Sequence, residues 1–315
     1  MAGLREIQSR IRSIEDTRKI TGAMYMISST KLKKAKRDLE KTEPYFYMLQ
    51  STIERIMRHL PEMEHPFFRN VSDGAKKETS KVGLLVITGD KGLAGAYNHN
   101  ILKLAQQFLD QSGKEVSLFV VGELGRQYFA GRGVPIAENF TYTVQDPTFD
   151  RARWICDILI EKYMTGVIDE LHVIYTRMEN SMLCQAEDKQ LLPLSIKQLP
   201  TPPADVYQEE FRFEPSAKDA VDMIVPNYLT GFIYGALVEA FCSEQNDRML
   251  AMEAATDNAD KLLHDLNIMY NRARQAQITQ EITEVSSGAR AQRQKRNNKK
   301  KRAAMLQRGI KEVNV

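Results

Sequence analysis

The stretch MEAATDNADKLLHDLNIMYNRARQA, residues 252–276, decides the fold. Met252, Ala255, Ala259, Leu262, Leu266, Met269, Ala273 and Ala276 recur in alternating steps of three and four, an unbroken heptad stripe. Such a stripe is the seam of a coiled coil, and its alanines let two backbones approach closely. No glycine occurs in the 52 residues between Gly235 and Gly288, and no proline follows Pro226. Proline removes a backbone donor and clashes with the preceding turn, so its absence predicts one long helix. The glycine-free stretch alone is enough for a rod of about 78 Å at 1.5 Å per residue.

The other end of the chain has the same character. All 11 prolines lie between Pro44 and Pro226. Leu4, Ile7, Ile11 and Ile14 begin a second three-four stripe, which continues through Arg18, Thr21, Tyr25, Ser28, Leu32, Ala35 and Leu39. The middle of that stripe is polar, and the apolar face is expected to drift there to Ile20, Met24 and Ile27. Both helices join one middle segment, so the pair is expected to be antiparallel.

The middle reads as α/β, a Rossmann-like domain with a parallel sheet. Val82–Thr88, Val116–Val121 and Leu171–Tyr175 read as buried strands, with helical patterns around Ala96–Leu109, Glu123–Phe129 and Arg151–Tyr163. Strand–helix alternation at this spacing implies a parallel sheet covered by helices. Leu191–Phe213, with Pro193, Pro200, Pro202 and Pro203, reads as a loop or edge excursion. The expected division is an N-terminal coiled-coil helix over 1–60, a central α/β domain over 61–215, a C-terminal coiled-coil helix over 216–289 and a basic extension over 290–315.

Composition excludes several classes. No run approaches the ~20 apolar residues of a membrane span, and the first residues carry neither a signal core nor a transit pattern. Cys156, Cys184 and Cys242 are far apart and include no CxxC, so buried free thiols are expected and neither a disulfide framework nor a metal site. His59, His65, His99, His172 and His264 are scattered, and no catalytic constellation and no cofactor motif is present. Gly89–Gly95 follows a strand and precedes a helix, the place where α/β proteins bind phosphate. Its spacing is neither GxGxxG nor GxxxxGK[ST], and Asp90 would repel a phosphate, so a structural turn is expected.

The net charge of +3 hides a split: residues 290–315 sum to +9 and the remainder to −6. Arg290–Arg302 holds eight basic residues in thirteen. Such a block fits an acidic surface or nucleic acid, but no aromatic residue is interleaved for base stacking. The residue pattern alone therefore leaves two rival readings: a nucleotide-binding α/β enzyme with helical arms, and a coiled-coil nucleic-acid binder acting through this tail.

Neither rival explains the polar string Ser243-Glu244-Gln245-Asn246-Asp247-Arg248-Met249-Leu250-Ala251-Met252-Glu253-Ala254-Ala255-Thr256-Asp257-Asn258-Ala259, followed by Tyr270-Asn271-Arg272-Ala273-Arg274-Gln275-Ala276-Gln277-Ile278-Thr279-Gln280-Glu281-Ile282. It closely resembles the γ subunits of F-type ATP synthases, bacterial type. Ile20–Met26, Lys31–Ala35 and Gly92–Asn98 resemble the same family. The resemblance covers about residues 2–290.

It implies a central-stalk rotor subunit, one copy per complex. Its paired end helices would turn inside a ring of α and β subunits, with the central domain against the ε subunit and the membrane c-ring. It implies a peripheral place on the cytoplasmic face of the cell membrane, coupling of H⁺ or Na⁺ flow to ATP synthesis or hydrolysis, and no nucleotide chemistry or cofactor in this chain. It assigns Arg274 and Gln275 to an acidic loop of a β subunit, Thr279 and Glu281 to neighbouring coupling positions, and Met24 and Arg248 to transmission efficiency. Three departures stand out: Gly22 inside the first helix, Ser286–Gln292 in place of a more apolar tip, and the basic residues beyond it. The last are expected to meet acidic groups of α or β subunits.

Overall fold

The computed structural model describes residues 3–59, 65–68, 81–140, 144–180, 183–194 and 216–312. The proline-rich loop expected over 191–213 lies mostly outside them. Helix α1 spans Leu4–His59 and helix α5 spans Ala217–Glu312. Between them come β1 (Val82–Ile87), α2 (Tyr97–Gln111), β2 (Val116–Val121), α3 (Glu123–Gly131), β3 (Ile136–Phe140), α4 (Phe149–Met164), β4 (Glu170–Met178) and β5 (Cys184–Leu192). The chain divides into two compact units, Met1–Thr21 with Ala255–Val315, and Gly22–Ala254.

In the larger unit the five strands run in the order β3-β2-β1-β4-β5. The pairs β1–β2, β1–β4 and β2–β3 are parallel, and β5 closes one edge antiparallel to β4. The three strands read from the sequence are the inner ones, whose residues are apolar on both faces because both faces are covered. The edge strands β3 and β5 were not legible. β5, CQAEDKQLL, is polar over most of its length and half exposed, so it lacks the buried run that marks its neighbours.

Side chains alternate across the sheet. Leu84, Val86, Leu118, Val120 and Ile174 pack with Tyr97, Ile101 and Ala105 of α2 and Phe129 of α3. On the opposite face Leu85, Ile87, Phe119, Val121, Val173 and Tyr175 meet α4 through Ala152, Ile155 and Leu159. The same core takes in α5 through Val221, Val225, Leu229, Ile233, Leu237 and Phe241, and α1 through Leu32, Ala35, Ile53, Ile56 and Met57. Each large apolar side chain buried here contributes about 1.5–3 kcal/mol. By length and composition α5 contains one window apolar enough to cross a membrane, and 56% of it is buried inside the chain. Packing on the sheet accounts for that apolar stretch, which the sequence reading had passed over.

Ser216 starts α5, its Oγ accepting from the Asp219 amide at 3.1 Å, an N-cap geometry. Each long helix carries one internal proline, Pro44 in α1 and Pro226 in α5. The flanking turns are held by tertiary packing. Beside Pro44, Phe46 lies against Gly231 of α5, where a Cβ would collide with its ring. Phe46, Phe149 and Tyr234 form an aromatic group with centroids 6.0–6.3 Å apart.

Candidate functional site

In the smaller unit α1 and α5 pair antiparallel. Thr21 and Thr256 share a hydrogen bond of 2.8 Å between hydroxyls, and one turn earlier in α1 Arg18 donates to Asp260, one turn later in α5, at 2.8 Å. Ile7 is buried and Ile11 and Ile14 are half-buried on the α1 side. On α5 the inward line is Ala255 with Thr256, then Ala259, Leu263, Leu266, Tyr270 and Ala273. Two seam residues expected from the heptad are therefore corrected. Leu262 and Met269 are each 51% exposed, while Leu263 is 8% exposed and takes the inward place. The sequence offered apolar side chains at both steps, 262 with 263 and 269 with 270. The Thr21–Thr256 and Arg18–Asp260 bonds fit the four-three register and not the three-four one.

The expected drift of the α1 face is corrected for the same reason. Thr21 and Ser28 stay inward, at 8% and 1% exposure, while Ile20 and Ile27 face out at 61% and 56% and Met24 is half-buried. Small polar side chains hold the close approach, and hydroxyl pairing satisfies the buried oxygen of Thr21. In the larger unit Met252 is buried, at 5%. Gly22 has open space around its Cα, so no close approach requires a glycine there.

Beyond Ala273 every described residue of α5 through Lys299 is exposed. This part holds Arg274, Gln275, Thr279 and Glu281. At roughly 100° per residue these four share one side of the helix with Ile278, Ile282 and Val285. Those three apolar side chains are 47%, 64% and 73% exposed. Thr279 donates to the Gln275 carbonyl at 2.9 Å, and Glu281 accepts from Gln277 at 3.0 Å. Helix α5 runs unbroken through Ser286, Ser287 and Gly288 into the basic segment, so the boundary expected at 289 is not a break in structure.

Arg248 belongs elsewhere. It lies in the larger unit, 7% exposed, and its guanidinium donates to Glu244 Oε1 at 2.5 Å and to the carbonyls of Lys91 and Gly92, each at 3.1 Å. It is thus an internal clamp from α5 onto the loop after β1, and its donors do not face outward as a contact to another subunit requires. Glu244 is 1% exposed, and burial pushes its carboxyl up from the ordinary range against the pull of Arg248.

The Gly89–Gly95 turn is structural. Asp90 accepts from the amides of Glu123, at the start of α3, and Val144, at 3.1 and 2.9 Å. A carboxylate thus sits where an anion would bind at that helix N-terminus. Burial raises its pKa despite the Val144 bond. The Gly89 amide donates to Asn98 Oδ1 at 2.9 Å, and Thr88 Oγ1 bridges the Val121 carbonyl and the Gly125 amide at 3.0 Å each. Gly122, at φ 99°, is required because a Cβ there would strike the Thr88 carbonyl. Sequence reading found this turn but not its partners, since Arg248 and Glu244 lie about 150 residues away on a helix. His65 donates through Nε2 to Asp222 at 3.0 Å while Nδ1 accepts from the Phe67 amide, and His172 pairs with Asp188 across β4 and β5. Among the described residues no group of His, Cys, Asp and Glu is arranged to hold a metal ion. All three cysteines are free thiols, and burial pushes Cys156 and Cys242 up to about 12.

The smaller unit is a helical pair with one exposed end, and within the larger unit buried polar groups clamp α5 to the α/β domain. Comparison with known proteins gives the chain a family. The family model described as ATP synthase matches residues 3–292. The ATP synthase gamma chain of Ruminiclostridium cellulolyticum is 43% identical over 291 residues, covering 91% of this chain and 98% of that one. That of Caldanaerobacter subterraneus is 40% identical over 296 residues, covering 91% and 99%. The rotor of the Euglena gracilis mitochondrial ATP synthase shares the fold at a TM-score of 0.58 and 15% identity, covering 87% of this chain and 98% of that chain. The chain belongs to the ATP synthase gamma-chain family. It is a non-catalytic rotor subunit of the ATP synthase.

Proposed function

We propose that the exposed end of α5 is the part of the shaft that turns against the α and β subunits. The observation that carries this is the shared side of Arg274, Gln275, Thr279 and Glu281 with Ile278, Ile282 and Val285. Three bare apolar side chains beside four polar ones, on a stretch of α5 whose described residues from 274 to 299 are all exposed, fit a surface that another subunit covers. Arg274 suits a carboxylate because its fork binds both oxygens. Its exposure keeps each such bond modest, and a rotating contact must break at every step. Met24, half-buried on α1, belongs to the transmission path, and Arg248 serves it from inside by holding α5 to the β1 loop.

In this reading the chain is present once per complex. Its sheet domain meets the ε subunit and the c-ring at the cytoplasmic face of the cell membrane. Turning the shaft drives the β subunits through their binding states in order. A central stalk and c-ring are seen together in the Tetrahymena thermophila mitochondrial ATP synthase, whose matching chain is 24% identical at a TM-score of 0.53. The test is co-purification with the native α and β subunits, followed by ion-driven ATP synthesis in an Arg274→Ala, Gln275→Ala variant. We expect the variant to assemble and hydrolyse ATP while synthesis per unit of ion flow falls severalfold. Full coupling in the variant removes this role, and failure of the wild-type chain to co-purify removes the whole reading.

A further inference from the structure

The family match stops at residue 292, yet α5 continues as helix to Glu312. Between 290 and 299 that helix carries Arg290, Arg293, Lys295, Arg296 and Lys299. On a helix turning roughly 100° per residue they stand at about 0°, 300°, 140°, 240° and 180°. No side of this segment is apolar. A helix that lies on a lipid surface needs an apolar face to bury, and this one has none. Base stacking needs aromatic side chains, and residues 290–299 include none.

Within the segment the charges oppose one another. Arg293 and Arg296, Lys295 and Lys299, and Arg296 and Lys299 are like-charge neighbours at three- or four-residue spacing, which disfavours the isolated helix. All five basic residues are exposed. Relief must come from outside, and from around the helix as much as from any one side. We infer that the extension is an electrostatic bearing: a cationic shaft tip surrounded by carboxylates of the α and β subunits. The inference rests on the placement of α5 within that ring. With charges spread over five angles about the axis, no single face carries the attraction, so the helix is centred in an anionic sleeve without being gripped at any one rotary position. An ion pair tied to a single face would instead oppose rotation.

The experiment uses the assembled complex and a carbodiimide, which joins a lysine amine directly to a carboxylate. Cross-links are mapped by mass spectrometry for the wild-type chain and for a variant with the basic residues of 290–311 replaced by Gln. The expected result is Lys295 and Lys299 joined to Asp or Glu residues of both α and β subunits. The yield should fall at least threefold between 0.1 and 1 M salt, as the screening length contracts from about 10 to about 3 Å. The Gln variant should assemble and hydrolyse ATP, because every residue before 290 is unchanged. A complex that assembles and hydrolyses ATP but gives no link from Lys295 or Lys299 to a ring subunit overturns the bearing and leaves the shaft standing. Salt-dependent binding of duplex DNA that vanishes in the Gln variant, with no link from Lys295 or Lys299 to the ring, also overturns it. A chain that does not assemble with α and β subunits overturns the shaft itself.

Discussion

Replacing Arg248 by Met tests the clamp between α5 and the β1 loop most directly. Met keeps an apolar stem of similar reach and removes the guanidinium. Three interactions disappear, those to Glu244, Lys91 O and Gly92 O, and Glu244 is left as a buried charge at 1% exposure. Removing one partner of a buried pair costs about 3–5 kcal/mol. The Glu244→Gln variant should cost less, because it leaves a neutral amide that still accepts from Arg248. The double variant should cost less than the sum of the two by about 0.5–3 kcal/mol, as expected for groups in direct contact. Amide hydrogen exchange reads this locally. The Gly89, Glu123 and Leu124 amides are bound in or beside the clamped loop. A loss of 3 kcal/mol there accelerates their exchange by about 100-fold or more. The pH dependence has a definite sign. Burial holds the Glu244 carboxyl above its ordinary 4.5, so its contribution to stability is whole below 4.5 and is lost as pH rises through the folded value. Arg248→Met raises that folded value further, so the loss moves to higher pH, and Glu244→Gln abolishes it. Exchange at those amides within threefold of wild type in Arg248→Met would refute the clamp.

Three further outcomes follow from the packing. Gly22→Ala should stabilise α1 by about 1 kcal/mol, because a methyl meets open space there and glycine is the poorer helix former; urea unfolding of the two chains under matched conditions measures it. Gly231→Ala should destabilise by about 1–3 kcal/mol, since the new methyl drives Phe46 out of its aromatic group, and Phe46→Leu in the same chain should recover part of the loss. In native protein at pH 8 a thiol reagent should label Cys184 first and leave Cys156 and Cys242 untouched until unfolding, since the latter two are 1% and 3% exposed and pushed up to about 12; prompt labelling of either contradicts the packing.

The helices and inner strands were legible because their signals are local. Proline absence, a three-four stripe and an all-apolar strand each follow from bonds and packing within a few residues. Edge strands were not legible, because β5 has one flank exposed and its residues need not be apolar. The register of the helical pair was half legible. Leu262 and Leu263 are the same residue type, so hydropathy cannot choose between them; the choice is made by Thr256 and Asp260 against Thr21 and Arg18, across about 240 residues.

The proposed coupling residues divide along the same line. Arg274, Gln275, Thr279 and Glu281 were named from their sequence context, and the structure adds that they share a side with bare apolar residues. Arg248 was named from context too, but its bonding was hidden. Nothing local says that an arginine on a long helix turns inward to hold two carbonyls of a distant loop. That inward turn gives one family of polar residues two tasks. In the proposed shaft, those at the exposed end of α5 would make bonds that form and break. Those at Glu244 and Arg248 are buried bonds from α5 to the β1 loop, and in the same proposal they would have to persist under load. Exposure separates the two sets. Solvent and salt keep the first weak, and burial makes loss of the second costly.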